Sequence, residues 1–514
     1  MWSLANSHND ESSKIRWELV PYFYGRVLDI GCGPYKAFPH FIGVDSGQMW
    51  GGRGIDVRVE DGAKLELFAS QSCDTVYSSH LLEHIEDYRA ALREWWRVIK
   101  PHGHLCLYLP HKGFYPNIGQ EGANPDHKHD FIPADIIAVM QEIGSCDLLV
   151  NEERNQADEY SFFQVYRKLP GRGVSESWKL PKPEKTAAIV RYGAIGDALQ
   201  TSSLFPALKE QGYHVTLYCQ AGPGYEVLKH DPNVDQFIIQ GKDQIPPQFL
   251  QEFWDHTKKK YDRWINLCES IEGTLLAIPG RPNHEWPNEA RAKFMDRNYL
   301  EWTHELAQVP PPYRVKFFST TEEKQWARRT IERWGRAIMW SLSGSSGHKV
   351  WPHLDEVLER ILVLYPDVHV VLVGDEFCRV LESGWDKHDN GVWRDAHPRI
   401  HCKSGKWTIR ESMAFAEVAT LIVGTETGVL NGASAMDTPK IITLSHSSKE
   451  MLTKHWKNAL VLEQPQGVGC NKSPCRQLHY TWDYCPKHEE SGTALCQYHI
   501  TTDMMWNAIK GVLQ

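Results

Sequence analysis

The stretch AAIVRYGAIGDALQTSSLFPAL, residues 187–208, decides how this chain is organised. It begins with a continuous apolar run at 187–191, continues through a glycine-bracketed loop at 192–197, and ends in leucines at helical spacing. A change from a continuous apolar run to helical spacing predicts a strand, a tight turn and the start of a helix. Ligands of open α/β sheets bind at the carboxyl ends of strands, so a ligand crevice is expected here.

Asp197 stands at the mouth of the expected crevice, directly after Gly196. Gly193 and Gly196 carry no Cβ, so the backbone could approach a bound group closely. The spacing alone leaves two roles open for Asp197: capping the N-terminus of its own helix, or chemistry on a ligand.

Residues 189–209 follow the pattern I-V-R-x-x-x-x-G-D-x-x-x-T-x-x-x-x-P-x-L-K. This pattern resembles the opening of the ADP-heptose heptosyltransferases, glycosyltransferase family 9. Together with the segments described below, the resemblance covers about two thirds of the chain. It implies that Asp197 lies beside the acceptor hydroxyl and acts as the general base.

The whole sequence bounds the class of protein. Its 514 residues predict about three domains. A hydrophobic content of 41% and a charged content of 24% are typical of a globular protein. The net charge of −9 gives no global basic field, so nucleic acid is not the expected partner. No apolar run is long enough to span a bilayer and residues 1–10 are polar, so we expect a cytoplasmic protein without a signal peptide.

Residues 26–47, RVLDIGCGPYKAFPHFIGVDSG, predict a strand, a glycine-rich turn and a second strand that ends in Asp45. A glycine-rich turn after one strand and an acid at the end of the next is the arrangement that holds a nucleoside. Further elements follow at 61–65, 73–80, 82–84 and 100–103. The succession resembles the class I S-adenosylmethionine methyltransferases. It implies that Asp29, Gly31 and Gly33 surround the methionine end of this cofactor, that Asp45 binds the ribose, and that Asp61 binds the adenine amino group.

Two features of this first domain depart from the family or stay open. Only eight residues separate Gly33 from Ile42, so the first helix of the fold is expected to be missing or a single turn. The run Asp-His-Lys-His-Asp at 126–130 could bind a metal ion, or could be a polar loop that supports a lid.

No catalytic base is assigned in this first domain, because methyl transfer to a good nucleophile needs positioning more than proton removal.

The predicted fold class is α/β. A Rossmann-like methyltransferase domain at 1–168 is followed by a Pro/Gly/Ser-rich linker at 169–185. A GT-B pair of Rossmann-like domains follows, with the acceptor domain at 186–330 and the nucleotide-sugar donor domain at 331–514. The donor domain includes a small cysteine-rich metal-binding segment at 470–496.

The donor domain carries two predicted phosphate-binding elements. At 337–352 a strand enters a loop of small residues, which expose backbone N–H groups, and Lys349 adds a positive charge. Heptosyltransferases have a similar loop, whose K-x-W-P element holds the donor diphosphate. At 424–435 the family reads D-T-G-x-x-H-x-A, whereas this chain has Glu426 and Asn431 in place of the Asp and the His. The predicted ligands of an ADP-heptose-like donor are Ser343, Lys349, Glu426, Thr427 and Gly428, and the two exchanges leave the identity of the sugar open.

Four of the twelve cysteines, Cys470, Cys475, Cys485 and Cys496, lie close together near the end of the sequence. The segment lacks the apolar periodicity to order itself, and four thiolates suffice for a tetrahedral metal ion. Two disulfides or four unrelated thiols are the alternative, and His479, His488 and His499 are available as replacement ligands. The tail resembles the autotransporter heptosyltransferases, which implies a cysteine-bound iron. We predict one structural ion, iron or zinc, with no role in chemistry.

The sequence therefore favours an enzyme fusion: a glycosyltransferase that passes a heptose-like sugar to a glycan or protein acceptor, joined to a methyltransferase. The sequence leaves open whether the chain forms a homo-oligomer. The alternatives are a non-catalytic scaffold built from degenerate enzyme domains, or an enzyme that modifies nucleic acid bases. Asp197 and Lys349 favour the enzyme, whereas the short methyltransferase helix and Asn431 favour the scaffold.

Overall fold

The computed structural model describes residues 11–48, 54–170, 183–241, 244–383, 394, 397–478 and 485–514. Most of the predicted linker and His479 lie outside the described residues. No described helix is both long and apolar enough to cross a membrane. Contacts divide the chain into one unit of Met1–Glu184 with Ile238–Lys260 and a second of Lys185–Phe237 with Tyr261–Gln514.

The first unit is built on a seven-stranded sheet of order β3-β2-β1-β4-β5-β7-β6. Its strands are β1 Val27–Ile30, β2 Ile42–Asp45, β3 Val57–Arg58, β4 Cys73–Ser79, β5 Ile99–Pro110, β6 Cys146–Arg154 and β7 Ser161–Lys168. Strands β1 to β5 are parallel, and β7 runs antiparallel to both of its neighbours. The strand order reverses between β1 and β4, and ligands of open α/β sheets bind at such a reversal.

Helices cover the sheet of the first unit. The α-helices are Glu11–Lys14, Arg16–Leu19, Tyr88–Val98, Pro133–Ile143 and Leu250–Thr257. No helix connects β1 to β2 among the described residues, in agreement with the short spacing. The element expected at 100–103 is part of a strand, because β5 begins at Ile99, directly after the helix Tyr88–Val98.

The remaining strands form two sheets. The first has the order β10-β9-β8-β11 and the second the order β14-β13-β12-β15-β16-β17. The strands are β8 Thr186–Arg191, β9 His214–Gln220, β10 Gln236–Gln240, β11 Arg263–Asn266, β12 Arg336–Ser341, β13 Val368–Val373, β14 Ile400–Cys402, β15 Leu421–Thr425, β16 Lys440–Thr443 and β17 Ala459–Leu462. All pairs in the second sheet are parallel, as are β8 with β9 and β8 with β11. The predicted α/β class is confirmed.

The helices of the second unit alternate with its strands. They are Ile195–Thr201, Phe205–Glu210, Pro223–Leu228, Asn288–Met295, Tyr299–Ala307, Thr321–Trp334, Leu354–Leu364, Glu376–Glu382, Ile409–Ala416, Gly428–Ala433, Lys449–Leu452, Leu495–Tyr498 and Thr502–Leu513. The single helical stretch expected up to residue 208 is two short helices. The hydroxyls of Ser202 and Ser203 donate to carbonyls one turn back, and Pro206 has no N–H to continue the first helix.

The boundary between the two Rossmann-like domains needs one adjustment. The helix Thr321–Trp334 spans residue 330, which the sequence places at the end of the first of them. Its Trp326 and Trp334 rings lie against Trp407 of the second domain, and Trp334 also contacts Phe415. We therefore propose that the second domain begins at this helix.

Candidate functional site

The candidate catalytic carboxylate, Asp197, lies in the first turn of the helix Ile195–Thr201 that follows β8. Its Oδ2 accepts a hydrogen bond of 3.0 Å from the Ala194 N–H, which caps the helix. Its Oδ1 lies 2.7 Å from Nη2 of Arg191. The side chain is 22% exposed. An ionised carboxylate offers about four acceptor positions, so these two contacts leave capacity for a ligand hydroxyl.

Arg191 is buried at the end of β8 between two carboxylates. It pairs with Asp197 and with Glu272, whose Oε1 lies 3.0 Å from Nη2. Although burial works against the charged guanidinium, the two carboxylates raise the pKa of Arg191. Burial and the nearby Asp197 charge raise the pKa of Glu272 against the effect of Arg191. Arg191 therefore keeps a charged partner even if one carboxylate is removed.

The glycines of the two candidate elements make contacts inside the protein. A Cβ on Gly193, whose φ is +151°, would lie 2.8 Å from Oδ2 of Asp197. A Cβ on Gly428 would lie 2.7 Å from Ile195, and one on Gly196 would lie 3.3 Å from Asn431. These small residues bring the helices Ile195–Thr201 and Gly428–Ala433 together, so the Asp197 turn and the predicted donor element lie side by side at the expected crevice.

Lys349 is buried beside the same crevice. Its ammonium donates a hydrogen bond of 3.0 Å to the backbone carbonyl of Glu426. Burial lowers the pKa of Lys349, while the charges of Glu426 and Asp197 act in the opposite direction. A positive charge this far from water needs an anion, which a diphosphate would supply.

The Glu426 carboxylate is occupied by the protein itself. It accepts hydrogen bonds from the backbone N–H groups of Ser445 and Ser447 and from the Ser445 hydroxyl, and it lies 2.5 Å from Nδ1 of His446. Burial alone would raise the pKa of Glu426, but His446 and these donors lower it to about 2. The side chain therefore positions the loop 445–447, and only its carbonyl reaches Lys349.

Thr427, Asn431 and Ser343 complete the donor side. The Thr427 hydroxyl caps the helix Gly428–Ala433 by accepting from the Leu430 N–H at 3.2 Å. The Asn431 amide donates to the Thr427 carbonyl, so Asn431 stabilises the same turn. Ser343 is buried in the loop that follows β12. The ends of β12 and β15 meet where the strand order reverses, the position at which ligands bind in such sheets.

The four tail cysteines line one cavity of about 20 Å³, together with His348, Ser445 and His446. All four are free thiols in the structure, which contains no disulfide among its described residues. Burial, with the neighbouring Cys470 thiol acting in the same direction, raises the pKa of Cys485 to about 11. Four thiols are a sufficient donor set for a metal ion, which binds thiolates and displaces their protons, but no three of these sulfur atoms lie within 4.8 Å of one another, so metal binding would have to draw them together.

The tail also holds the loop 445–447. The Arg476 N–H donates to the His446 carbonyl at 2.8 Å, and the Ser473 hydroxyl donates to the Ser445 carbonyl at 3.0 Å. The cysteine cavity is thus connected through this loop to Glu426 and the donor side of the crevice.

In the first unit, the predicted cofactor residues lie around the turn after β1. Asp29 is buried and accepts from the Ala37 N–H at 2.7 Å. Gly31 and Gly33 both have positive φ, +74° and +53°. The Asp45 carboxylate accepts from the N–H groups of Gly33 at 3.0 Å and Gly47 at 2.7 Å, which ties the turn to the end of β2.

Asp61 and Leu81 lie at the same edge of this sheet. Asp61 is exposed and accepts from the Ala63 N–H at 2.8 Å. The Leu81 side chain covers both nearby glycines: a Cβ would lie 2.8 Å from it on Gly31 and 3.1 Å from it on Gly62. A cofactor in the expected place would therefore contact Leu81, which the sequence did not single out.

Sequence reasoning missed residues whose partners are distant along the chain. Arg191 lies at the end of a buried apolar run, and a charge in such a position indicates that an acidic partner is needed. The residues around Arg191 do not indicate that this partner is Glu272. His446 has no motif around it. Glu83 was read only as part of the Leu-Glu-His element, although burial raises its pKa to about 8.

Residues 28–107 match the family model of a methyltransferase domain. Three solved structures show similarity to parts of the chain. A glycosyltransferase family 9 protein from Veillonella parvula is 13% identical and covers 65% of this chain and 98% of its own, with a TM-score of 0.46. The iron-containing dodecameric glycosyltransferase TibC from enterotoxigenic E. coli is 13% identical, over 64% of this chain and 78% of its own, with a TM-score of 0.40. An S-adenosylmethionine-dependent methyltransferase from Mesorhizobium loti is 17% identical, over 31% of this chain and 99% of its own, with a TM-score of 0.26. A search of curated proteins found no match.

Proposed function

We propose that the second unit is a glycosyltransferase that moves a heptose-like sugar from a nucleotide-sugar to a glycan or protein acceptor. The observation that carries the proposal is the pairing of two groups across one crevice. Asp197 is partly exposed with spare acceptor capacity, and Lys349 is a buried cation on which the Asp197 charge acts. A proton acceptor beside a diphosphate-binding cation is what sugar transfer requires.

The proposed reaction uses the two groups on opposite sides of the sugar. Asp197 accepts the proton of the acceptor hydroxyl as the acceptor oxygen bonds to the anomeric carbon. The bond from that carbon to the diphosphate breaks, and the departing nucleoside diphosphate carries away the electron pair. Lys349 and the backbone N–H groups around Gly428 stabilise the negative charge that develops on the diphosphate.

Binding of a nucleoside diphosphate tests the donor side. We expect Lys349→Met to weaken ADP binding at least tenfold, because it removes a buried cation while keeping most of the side-chain volume. Isothermal titration calorimetry measures the effect. The control is Lys449→Met, which removes an exposed lysine of the same domain. Equal ADP affinity in the wild type and both variants would contradict the assignment of Lys349.

We also propose that the first unit binds S-adenosylmethionine at the turn after β1 and transfers its methyl group. The support is the match of residues 28–107 and the position of Asp45, whose carboxylate lies between the Gly33 turn and the end of β2. A carboxylate at the end of the second strand is placed to accept from ribose hydroxyls.

Calorimetry with S-adenosylmethionine and S-adenosylhomocysteine tests this second activity. Asp45→Asn should weaken both ligands at least tenfold, because an amide keeps one acceptor oxygen but loses the charge that strengthens ribose hydrogen bonds. Asp158→Asn, at an exposed carboxylate of the same unit, should bind as the wild type does. If the folded wild type binds neither ligand, the domain is structural.

Two observations favour a non-catalytic scaffold as the second candidate. Leu81 covers Gly31, and the Glu426 carboxylate has no free acceptor position. Mass spectrometry of ligands retained by the purified protein separates the candidates, since an enzyme of this kind should retain a nucleotide or S-adenosylhomocysteine and a scaffold should retain neither.

A further inference from the structure

The first unit contains a buried carboxylate that no hydrogen bond satisfies. Glu83 lies in the short turn Leu82–His84 after β4 and is 0% exposed. Both of its carboxylate oxygens are buried without a hydrogen-bond partner. An isolated buried carboxylate costs several kcal/mol unless a cation or donor compensates it. A buried carboxyl group of this kind either keeps its proton or ionises beside a bound cation.

Two imidazoles face this carboxylate. Nε2 of His84 and Nε2 of His127 each lie 3.9 Å from Oε1 of Glu83. The three donor atoms all lie within 4.8 Å of one another. Both distances are too long for a hydrogen bond, so the three groups leave a small space between them.

The loop that carries His127 is fixed to Glu83 by its backbone. The N–H groups of Lys128 and His129 donate to the Glu83 carbonyl, at 2.7 and 3.2 Å. The His129 ring donates to the carbonyl of Ile85 at 3.0 Å, so it braces the loop. Of the two histidines in the Asp-His-Lys-His-Asp run, His129 therefore holds the loop in place, and His127 faces Glu83.

The ring of His84 is oriented as a ligand would be. Its Nδ1 lies 3.3 Å from the carbonyl oxygen of Asp126, and because a carbonyl only accepts, Nδ1 carries the proton. The lone pair is then on Nε2, the atom that faces Glu83. A hydrogen bond from the far ring nitrogen to a carbonyl is the usual way in which proteins orient a metal-binding histidine.

We propose that Glu83, His84 and His127 bind a divalent transition-metal ion at the carboxyl edge of the first sheet. Two imidazoles and one carboxylate form the donor set of open zinc and non-haem iron(II) sites, in which at least one position stays free for water or a substrate oxygen. Donors on a tetrahedral ion with bonds of about 2.1 Å are about 3.4 Å apart, so each 3.9 Å gap needs to close by about half an ångström. This site is separate from the tail cysteines and has no sulfur ligand.

Cobalt(II) titration of the full chain tests the site, because cobalt bound by nitrogen and oxygen lacks the thiolate charge-transfer absorption of a cysteine site. In wild-type protein whose tail cysteines have first been filled with one equivalent of Zn²⁺, cobalt should give a visible d–d band without thiolate absorption, and further Zn²⁺ should displace it. Glu83→Gln and His127→Gln should each lose this band and bind Zn²⁺ at least tenfold more weakly. His102→Gln, which removes an exposed histidine of the same unit, should behave as the wild type.

Thermal unfolding gives a second readout that does not depend on the spectrum. Measured on protein whose tail cysteines are already filled, further Zn²⁺ should raise the melting temperature of the wild type and of His102→Gln, and should leave that of His127→Gln unchanged. Without metal, Glu83→Gln should melt no lower than the wild type, because the amide replaces a buried carboxyl group that has no hydrogen-bond partner. The proposal is overturned if the wild type shows no sulfur-free cobalt band, or if Glu83→Gln and His127→Gln bind metal as the wild type does.

Discussion

Asp197→Asn should abolish most sugar transfer while leaving the fold and nucleotide binding intact. The amide can still accept from the Ala194 N–H, so the helix cap survives. Arg191 retains Glu272 as its charged partner, so no buried cation is left alone. An amide cannot take the proton of an acceptor hydroxyl, and loss of a general base costs about 10²–10⁴-fold in rate. Turnover of a nucleotide-sugar, measured beside ADP binding by calorimetry, gives both quantities.

Glu272→Gln is the matched control for this variant. It removes the other carboxylate of Arg191 and so reproduces the electrostatic change without touching the group at the crevice. If Asp197 acts only by pairing with Arg191, the two variants should lose similar activity. A folded Asp197→Asn protein with unchanged turnover would eliminate Asp197 as the base.

The sheets could be predicted because their signals are local. Strands such as β8 and β13 are continuous apolar runs, since both faces of a parallel sheet are buried, and β8 begins within a residue of the expected bounds. The helix Leu354–Leu364 has a local signal of the same kind, because its apolar residues repeat at helical spacing. Each of these patterns is complete within about ten residues of sequence.

The packing inside the crevice could not be predicted in the same way. Gly196 and Gly428 suggested close approach to a ligand, but in the structure they face Asn431 and Ile195. Glycine signals only that a Cβ has no room, and it does not say what occupies the space. Glu426 was expected to contact the donor, whereas its carboxylate is used by a loop about twenty residues later.

The Glu83 cluster is formed by two sequence segments that could each be singled out, although their contact could not be predicted. The Leu-Glu-His element and the Asp-His-Lys-His-Asp run were both noticed, the first as part of a domain resemblance and the second as an uncertain metal motif. Their meeting depends on a loop that crosses to β4 and binds the Glu83 carbonyl through its backbone. Tertiary contacts over more than forty residues leave no periodicity in the sequence.

Loss of the tail metal should destabilise the donor side of the crevice rather than change its chemistry. We expect about one equivalent of iron or zinc bound by Cys470, Cys475, Cys485 and Cys496. Cys485→Ser should carry one equivalent less than the wild type and melt at a lower temperature, because binding of a structural metal is folding free energy. Elemental analysis and thermal unfolding measure the two effects. Cys268→Ser, at a half-buried cysteine outside the tail, should keep the wild-type metal content.

The kinetic consequence of Cys485→Ser follows from the hydrogen bonds between the tail and the loop 445–447. Without the metal, Arg476 and Ser473 hold that loop less firmly, and Glu426 loses the donors that fix its carbonyl against Lys349. The KM for the nucleotide-sugar should therefore rise, while kcat at saturation should fall much less than in Asp197→Asn. Full metal content in Cys485→Ser, or a metal-free wild type with unchanged melting temperature, would show that the four thiols hold no structural ion.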